Sequence, residues 1–196
     1  MKITVGLTGG IGSGKTIISQ IFKCFNVPIY NSDQRARWLM QNNFELKNKL
    51  TQVLGNIYNN DGSLNKPLLR QIIFSNPKKR EIVNSIVHPI VNNDFEQWSK
   101  QIKAKYLIKE SALLFESGNY KNLNYTITVY CPLELRIKRL MLRDNISREE
   151  ALKKINSQMD DKLKLRLADF LIINDNYTPL LPQVINLHKF FLIQAI

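Results

Sequence analysis

The sequence predicts a three-layer α/β fold in which a parallel sheet is covered by helices on both faces. Two observations predict it: five short apolar runs rich in β-branched or aromatic residues, and segments of helical spacing that separate them. The runs are Ile3 to Thr8, Val27 to Asn31, Tyr106 to Glu110, Thr126 to Tyr130 and Phe170 to Asn174. Their near-continuous apolar character marks strands buried on both faces rather than the alternation of a half-exposed sheet.

The first run leads straight into a glycine-rich turn and then into the helical pattern Ile17 to Phe25. From Asp33 to about Lys105 no strand pattern occurs, and helical apolar spacing is broken at Asn59-Asn60-Asp61-Gly62 and Ser75-Asn76-Pro77. Residues 33–105 therefore read as a helical insert within a single domain of 1–196. After the fourth run, Pro132 suits a first helical turn; Leu133, Ile137 and Leu140 form one face and Arg136, Arg139 and Arg143 a cationic one. Ser147-Arg148-Glu149-Glu150 has the form of a capping box and starts a further helix. Two helices joined at Asp144 to Ile146 predict a hinged flap spanning about 136–160.

Composition narrows the function classes. The chain has 196 residues, 44% hydrophobic and 22% charged, enough apolar surface to fold as one domain and too little for two large ones. Twenty-eight Lys and Arg against 16 Asp and Glu give a net charge of +12, which favours anionic partners without choosing among phosphorylated small molecules, nucleic acid and membrane surfaces. Two distant cysteines, Cys24 and Cys131, exclude a disulfide framework and a zinc site and point to a reducing compartment. With no apolar stretch near the roughly 18 residues a bilayer crossing needs, and no signal-peptide core at Met1 to Gly6, the chain reads as soluble and cytoplasmic.

One motif decides among the anionic partners. Gly9-Gly10-Ile11-Gly12-Ser13-Gly14-Lys15-Thr16 fits G-x-x-x-x-G-K-[ST], between strand and helix as that chemistry requires. Glycines let the backbone wrap a polyphosphate with its N–H groups turned inward, and the helix that follows presents its positive end to the same charge. Gly10, Ile11, Gly12, Ser13, Gly14, Lys15, Thr16 and Ile17 are thus the expected nucleotide-binding residues, with Lys15 on the β- and γ-phosphates and the Thr16 hydroxyl on Mg²⁺.

A switch GTPase would need N-K-x-D, but Asn65-Lys66-Pro67-Leu68 lacks the Asp and lies in the helical insert. A translocating ATPase would be larger, and its acidic Walker B position has only the short Leu107-Ile108-Lys109-Glu110 as a candidate. A small phosphotransferase fits best. Such an enzyme needs a carboxylate near the phosphates and cations that follow the transferring group. Asp33, just past the second strand, is the candidate base, or else an N-cap for the helix containing Ala36 and Leu39. Arg139 and Arg143 are the candidate catalytic cations, or else a solvated basic face. His88-Pro89 reads as a helix break with a capping imidazole or as part of a site, and Lys78-Lys79-Arg80 as surface charge.

Taken in order, these residues resemble the dephospho-CoA kinase family along nearly the whole chain. The resemblance rests on Gly6-Leu7-Thr8 with the glycine loop, Asp33 with Ala36-Arg37, His88-Pro89, Leu113-Leu114-Phe115-Glu116, Arg139, Arg143-Asp144 with Ser147 to Glu150, Gln158, and Ala168-Asp169 to Asn174. It implies a three-layer P-loop kinase fold with a parallel five-stranded sheet, a helical substrate-binding insert and a small helical lid. It also implies ATP and Mg²⁺, dephospho-CoA as acceptor, Asp33 as base, Arg139 and Arg143 on the phosphates, and Arg37 and His88 on the acceptor. Four departures stand out: Asn31 where an acid is frequent, Ala112 where a proline is usual, Thr16 for serine, and Asp161 and Lys164 in a stretch where arginines are common. The competing readings are another small-molecule kinase of the same core and a nucleotide-dependent nucleic-acid-binding protein, for which no helix-turn-helix or aromatic RNA-reading pattern is present.

Overall fold

A computed structural model describes residues 2–195, which fall into two compact units, 2–31 with 102–195 and 32–101. The first unit contains all five strands: β1 (Ile3–Thr8), β2 (Ile29–Asn31), β3 (Tyr106–Glu110), β4 (Tyr125–Tyr130) and β5 (Phe170–Ile173). They pair in the order β2-β3-β1-β4-β5, every pairing parallel. The first and third predicted runs match strand for strand. The second is shorter than expected because Pro28 cannot donate; its carbonyl still accepts from Ile108 N at 2.9 Å.

β1 is the central strand, and its odd residues Ile3, Val5 and Leu7 face a core completed by Ile108, Ile127 and Ile172. Two helices close this core, α1 (Lys15–Cys24) through Ile18 and Phe22 and α9 (Leu180–Gln194) through Val184 and Phe191. On the other face Gly6 leaves room for Leu114: a Cβ there would lie 2.5 Å from Leu114 Cδ2 and 2.8 Å from Leu123 Cδ1. The strand interior thus tolerates a glycine because the Leu113-Leu114-Phe115 segment fills its place.

The inserted unit is helical, as expected: α2 (Ser32–Asn42), α3 (Phe44–Leu54), α4 (Lys66–Ser75) and α5 (Pro77–Gln101). Asparagines start three of these helices. Asn43, Asn65 and Asn76 accept from the amides of Leu46, Leu68 and Lys79 at 2.8, 3.0 and 3.1 Å. Leu39, Leu46, Leu50, Val83, Val87 and Val91 are buried, and Arg35 forks onto Asp94 at 2.7 and 2.8 Å, tying α2 to α5. The helix break expected at His88-Pro89 does not occur, since α5 runs unbroken for 25 residues. An interior proline costs about 3 kcal/mol, and buried Val83, Val87, Val91 and Phe95 on both sides of it outweigh that.

The remaining helices belong to the first unit: α6 (Leu133–Asp144), α7 (Arg148–Asn156) and α8 (Asp161–Leu167). The predicted capping box is formed in full by Ser147 and Glu150. Ile137, Leu140, Ala151 and Ile155 pack α6 onto α7 as one helical hairpin. None of the described helices is long and apolar enough to cross a membrane.

At the core's edge Tyr106 Oη lies 2.6 Å from His188 Nδ1, and Phe25 stacks on the same imidazole. Burial lowers the His188 pKa below its ordinary value. The unfolded chain takes up this proton near pH ~6.5 and the folded chain resists it. His188 therefore withdraws stability as pH falls below about 6.5 and adds no pH dependence well above it. In thermal melts between about pH 7.5 and 5, His188→Gln should give a shallower decline than the unaltered chain.

Candidate active site

β1 delivers the chain from a buried strand into the loop Gly9 to Gly14, and α1 takes it away. Gly12 and Gly14 adopt φ of +82° and +94°, in the left-handed region. Gly14 is doubly constrained, because a Cβ there would also collide with Asn174 Nδ2. Inside the loop Ser13 N donates to Gly10 O at 3.0 Å. No side chain caps the N-terminus of α1, whose positive end faces the loop. Lys15 Nζ donates to Gly9 O at 2.9 Å, stretched along the loop, and the Thr16 side chain is exposed in the first turn.

A loop with its amides turned one way turns its carbonyls the other, and those carbonyls need donors. Asn174, just past β5, donates Nδ2 to Ser13 O at 2.7 Å. Arg139 on α6 donates to Gly12 O at 3.3 Å, and to Asn174 Oδ1 at 3.2 Å and Asn176 Oδ1 at 2.6 Å. Arg136 donates Nε to Ile11 O at 2.8 Å and pairs with Asp161. The loop amide of Ile11 donates to Gln158 Oε1 at 2.7 Å. A cavity of about 520 Å³ opens beside this assembly, lined by Gly14, Ile17, Arg139, Asn176, Tyr177 and Leu180 among others.

The arginines expected as one cationic face have three different environments. Arg136 is only 2% exposed, because the loop carbonyls draw it inward. Arg139 bridges loop and cavity. Arg143 is exposed and forks onto its neighbour Asp144 at 2.8 and 3.2 Å. Arg143 and Lys154 together hold the Asp144 carboxyl far below the usual carboxylate range.

At the carboxyl end of β3, paired with β1 through Leu7, Glu110 is buried and accepts from Ser19 Oγ at 2.8 Å and Asn31 Nδ2 at 3.2 Å. Asn31 thus donates to Glu110, where an acid would meet the carboxylate with like charge. The departures at Asp161 and Lys164 have structural partners as well. Lys164 is fully buried with Nζ 2.8 Å from Glu116 Oε1, and Asp161 is engaged by Arg136, so both brace the fold. Glu116 also accepts from Met159 N at 3.0 Å, which fixes the chain between Gln158 and α8.

Among the residues expected in the site, the structure gathers the glycine loop, Lys15, Thr16, Ile17 and Arg139. Asp33 stands half-buried in the first turn of α2, His88 is half-buried on α5 and Arg37 is exposed on α2, all in the helical unit. Sequence reasoning missed Asn174 as a site residue and weighed Glu110 only as the acidic Walker B position of a translocating ATPase. Their one signal was a polar residue closing an otherwise apolar run.

Replacing Asn174 by Ala should leave Ser13 O with only the long contact to Arg139 at 3.5 Å and cost about 1–3 kcal/mol in denaturant unfolding. The affinity for ADP should fall with it, as measured by calorimetric titration.

The sequence matches the dephospho-CoA kinase family over residues 3–179. It is 39% identical over 191 residues to dephospho-CoA kinase of Bacteroides fragilis, covering 97% of this chain and 93% of that protein. The relative from Porphyromonas gingivalis is 37% identical, covering 94% and 92%. Among solved structures, TT1252 from Thermus thermophilus superposes with a TM-score of 0.84 at 28% identity, covering 100% of this chain and 98% of that one. Dephospho-CoA kinase from Campylobacter jejuni gives 0.70 at 28% identity, with full coverage of both chains. Shikimate kinase from Acinetobacter baumannii, at 13% identity and 0.58 over 99% and 95% of the two chains, shares the fold. A glycine loop braced on its carbonyl side, on a five-stranded parallel sheet, in a chain so matched along its length, places the protein in the dephospho-CoA kinase family.

Proposed function

We propose that the chain transfers the γ-phosphoryl group of ATP to the ribose 3′-hydroxyl of dephospho-CoA, giving coenzyme A and ADP. The observation that carries the reading is the loop at Gly9 to Lys15, its carbonyls anchored by Asn174, Arg139 and Arg136, in a chain of this family. Anchored carbonyls leave the loop amides other than the paired ones of Ile11 and Ser13 for phosphate oxygens, and Lys15 adds a mobile cation for the β- and γ-phosphates. The cavity beside Gly14 suits the nucleoside end, with apolar Ile17 and Leu180 against the base and Arg139 as a flat cationic wall.

Asp33 is the proposed base. It follows the carboxyl end of β2 by two residues, as the loop follows that of β1. In that role it orients the acceptor hydroxyl and takes its proton as the oxygen attacks phosphorus. Arg37 and His88 are the proposed contacts on the acceptor side. Arg143 reaches the phosphates only by exchanging Asp144 for them, a swap between two anions of similar geometry.

Mg²⁺ suits the donors present. It needs only one or two protein oxygens beside phosphate and water, which agrees with the lack of any three-residue metal cluster among the described residues. Thr16 supplies a hydroxyl, and the Glu110 carboxylate, held by Ser19 and Asn31, suits a water-mediated contact. When bound, the ion neutralises charge building on the phosphates.

The test is an ADP-release assay with and without dephospho-CoA, run beside nucleoside monophosphates and sugar acids. Release should depend on dephospho-CoA, and equal turnover with another acceptor would overturn the assignment. Asp33→Asn should lower kcat by about 10²–10⁴-fold while leaving the ADP affinity unchanged. Lys15→Ala should weaken binding and turnover together.

A further inference from the structure

Arg136 is the largest of the fully buried side chains in a chain rich in exposed cations. It sits in the first turn of α6, its amide donating to Pro132 O at 3.1 Å, where a helix meeting a core would ordinarily offer a leucine. Burying a guanidinium costs several kcal/mol unless charge and hydrogen bonds compensate it. Its partners here are the carboxylate of Asp161 and the carbonyl of Ile11, at the apex of the phosphate loop. The guanidinium also lies against Gly10, where a Cβ would overlap it, and its backbone lies against Gly12.

The same apex is held from its other side. Ile11 N donates to Gln158 Oε1 at 2.7 Å, and the Ile11 side chain packs against the α6–α7 cluster of Ile137, Leu140, Ala151 and Ile155. Thus the N–H, the C=O and the side chain of one loop residue are each occupied, from the two ends of one helical hairpin. Asp161, at the start of α8, ties those ends together by pairing with Arg136.

We propose that Arg136, with Asp161 and Gln158, forms a clamp of positioning residues that fixes the apex of the phosphate loop and so sets the affinity for the polyphosphate of the nucleotide. None of the three need touch the nucleotide. This pair of a buried guanidinium and a part-exposed carboxylate is retained because an apolar pair of equal volume would fill the space but leave Ile11 O without a donor and the loop free to turn that peptide. This inference rests on the reading of the loop as a nucleotide site.

The experiment uses the full chain and ADP with Mg²⁺ as probe, comparing calorimetric dissociation constants with thermal midpoints. The double variant R136M/D161L removes both charges together and should keep a midpoint within a few degrees of the unaltered chain while weakening ADP binding about tenfold or more. Gln158→Leu should weaken it several-fold, and Gln158→Glu, which keeps an acceptor for Ile11 N, should restore it. If R136M/D161L fails to fold, the half-buried Gln158 pair of variants carries the test. ADP binding within twofold of normal in the folded double variant, or in Gln158→Leu, overturns the clamp. So does a Gln158→Glu variant as weak as Gln158→Leu. Absence of ADP binding by the unaltered chain overturns the nucleotide reading and the clamp with it.

Discussion

A peptide group cannot present its N–H to a ligand without sending its C=O the opposite way, and this constraint organises the sheet-bearing unit. The loop after β1 lies at the edge of a packed interior, where water cannot reach every carbonyl. Ile11 O, Gly12 O and Ser13 O therefore need donors from the protein, and Arg136, Arg139 and Asn174 provide them. Each unmet carbonyl would cost about 1–3 kcal/mol and leave its peptide free to flip. The cradle is thus only as rigid as the chain segments behind it, which come from α6 and from the residues after β5.

Those segments arrive in place because the sheet is parallel and β1 is central. Parallel strands end on the same edge, so the residues after β1, β3, β4 and β5 meet there although they are far apart in sequence. Glu110, at the end of β3, reaches Ser19 on α1, and Asn174, after β5, reaches Ser13 in the loop. Buried Lys164 and Glu116 serve the same end at one remove, fixing the segment that carries Gln158 and Asp161.

The strands and the loop were legible because their signals are local: apolar runs of strand length, and glycines at spacings that few other structures require. The helical insert was legible for the same reason, with asparagine or proline at its helix starts. What was not legible depended on partners distant in sequence. Helical spacing put Arg136 on a solvated stripe, yet its acceptor is a carbonyl 125 positions earlier, which no periodicity can reveal. The proline at 89 shows the reverse error, a sound local rule overridden by apolar packing on both sides of it. Asn174 was read as the last residue of a strand, whereas its side chain is the anchor and its backbone the end of the ladder, donating to Tyr130 O at 2.8 Å.

The clamp also bears on how the α6–α7 hairpin can move. A flap hinged between Asp144 and Ile146 would have to separate Ile137 and Leu140 from Ala151 and Ile155, break the Asp144–Lys154 pair at 2.7 Å and part Arg148 from Glu134. Separating four buried apolar side chains costs several kcal/mol at about 25 cal/mol per Å². Moving both helices together costs none of these contacts, and its resistance comes from the two ends held at Ile11 and from the bonds of Arg139 to Gly12 O, Asn174 and Asn176. A motion of that kind strains the phosphate loop directly, so the position of the hairpin and the occupancy of the loop are linked. By thermodynamic reciprocity, whatever a bound polyphosphate does to hold the hairpin down, the seated hairpin does equally to hold the polyphosphate.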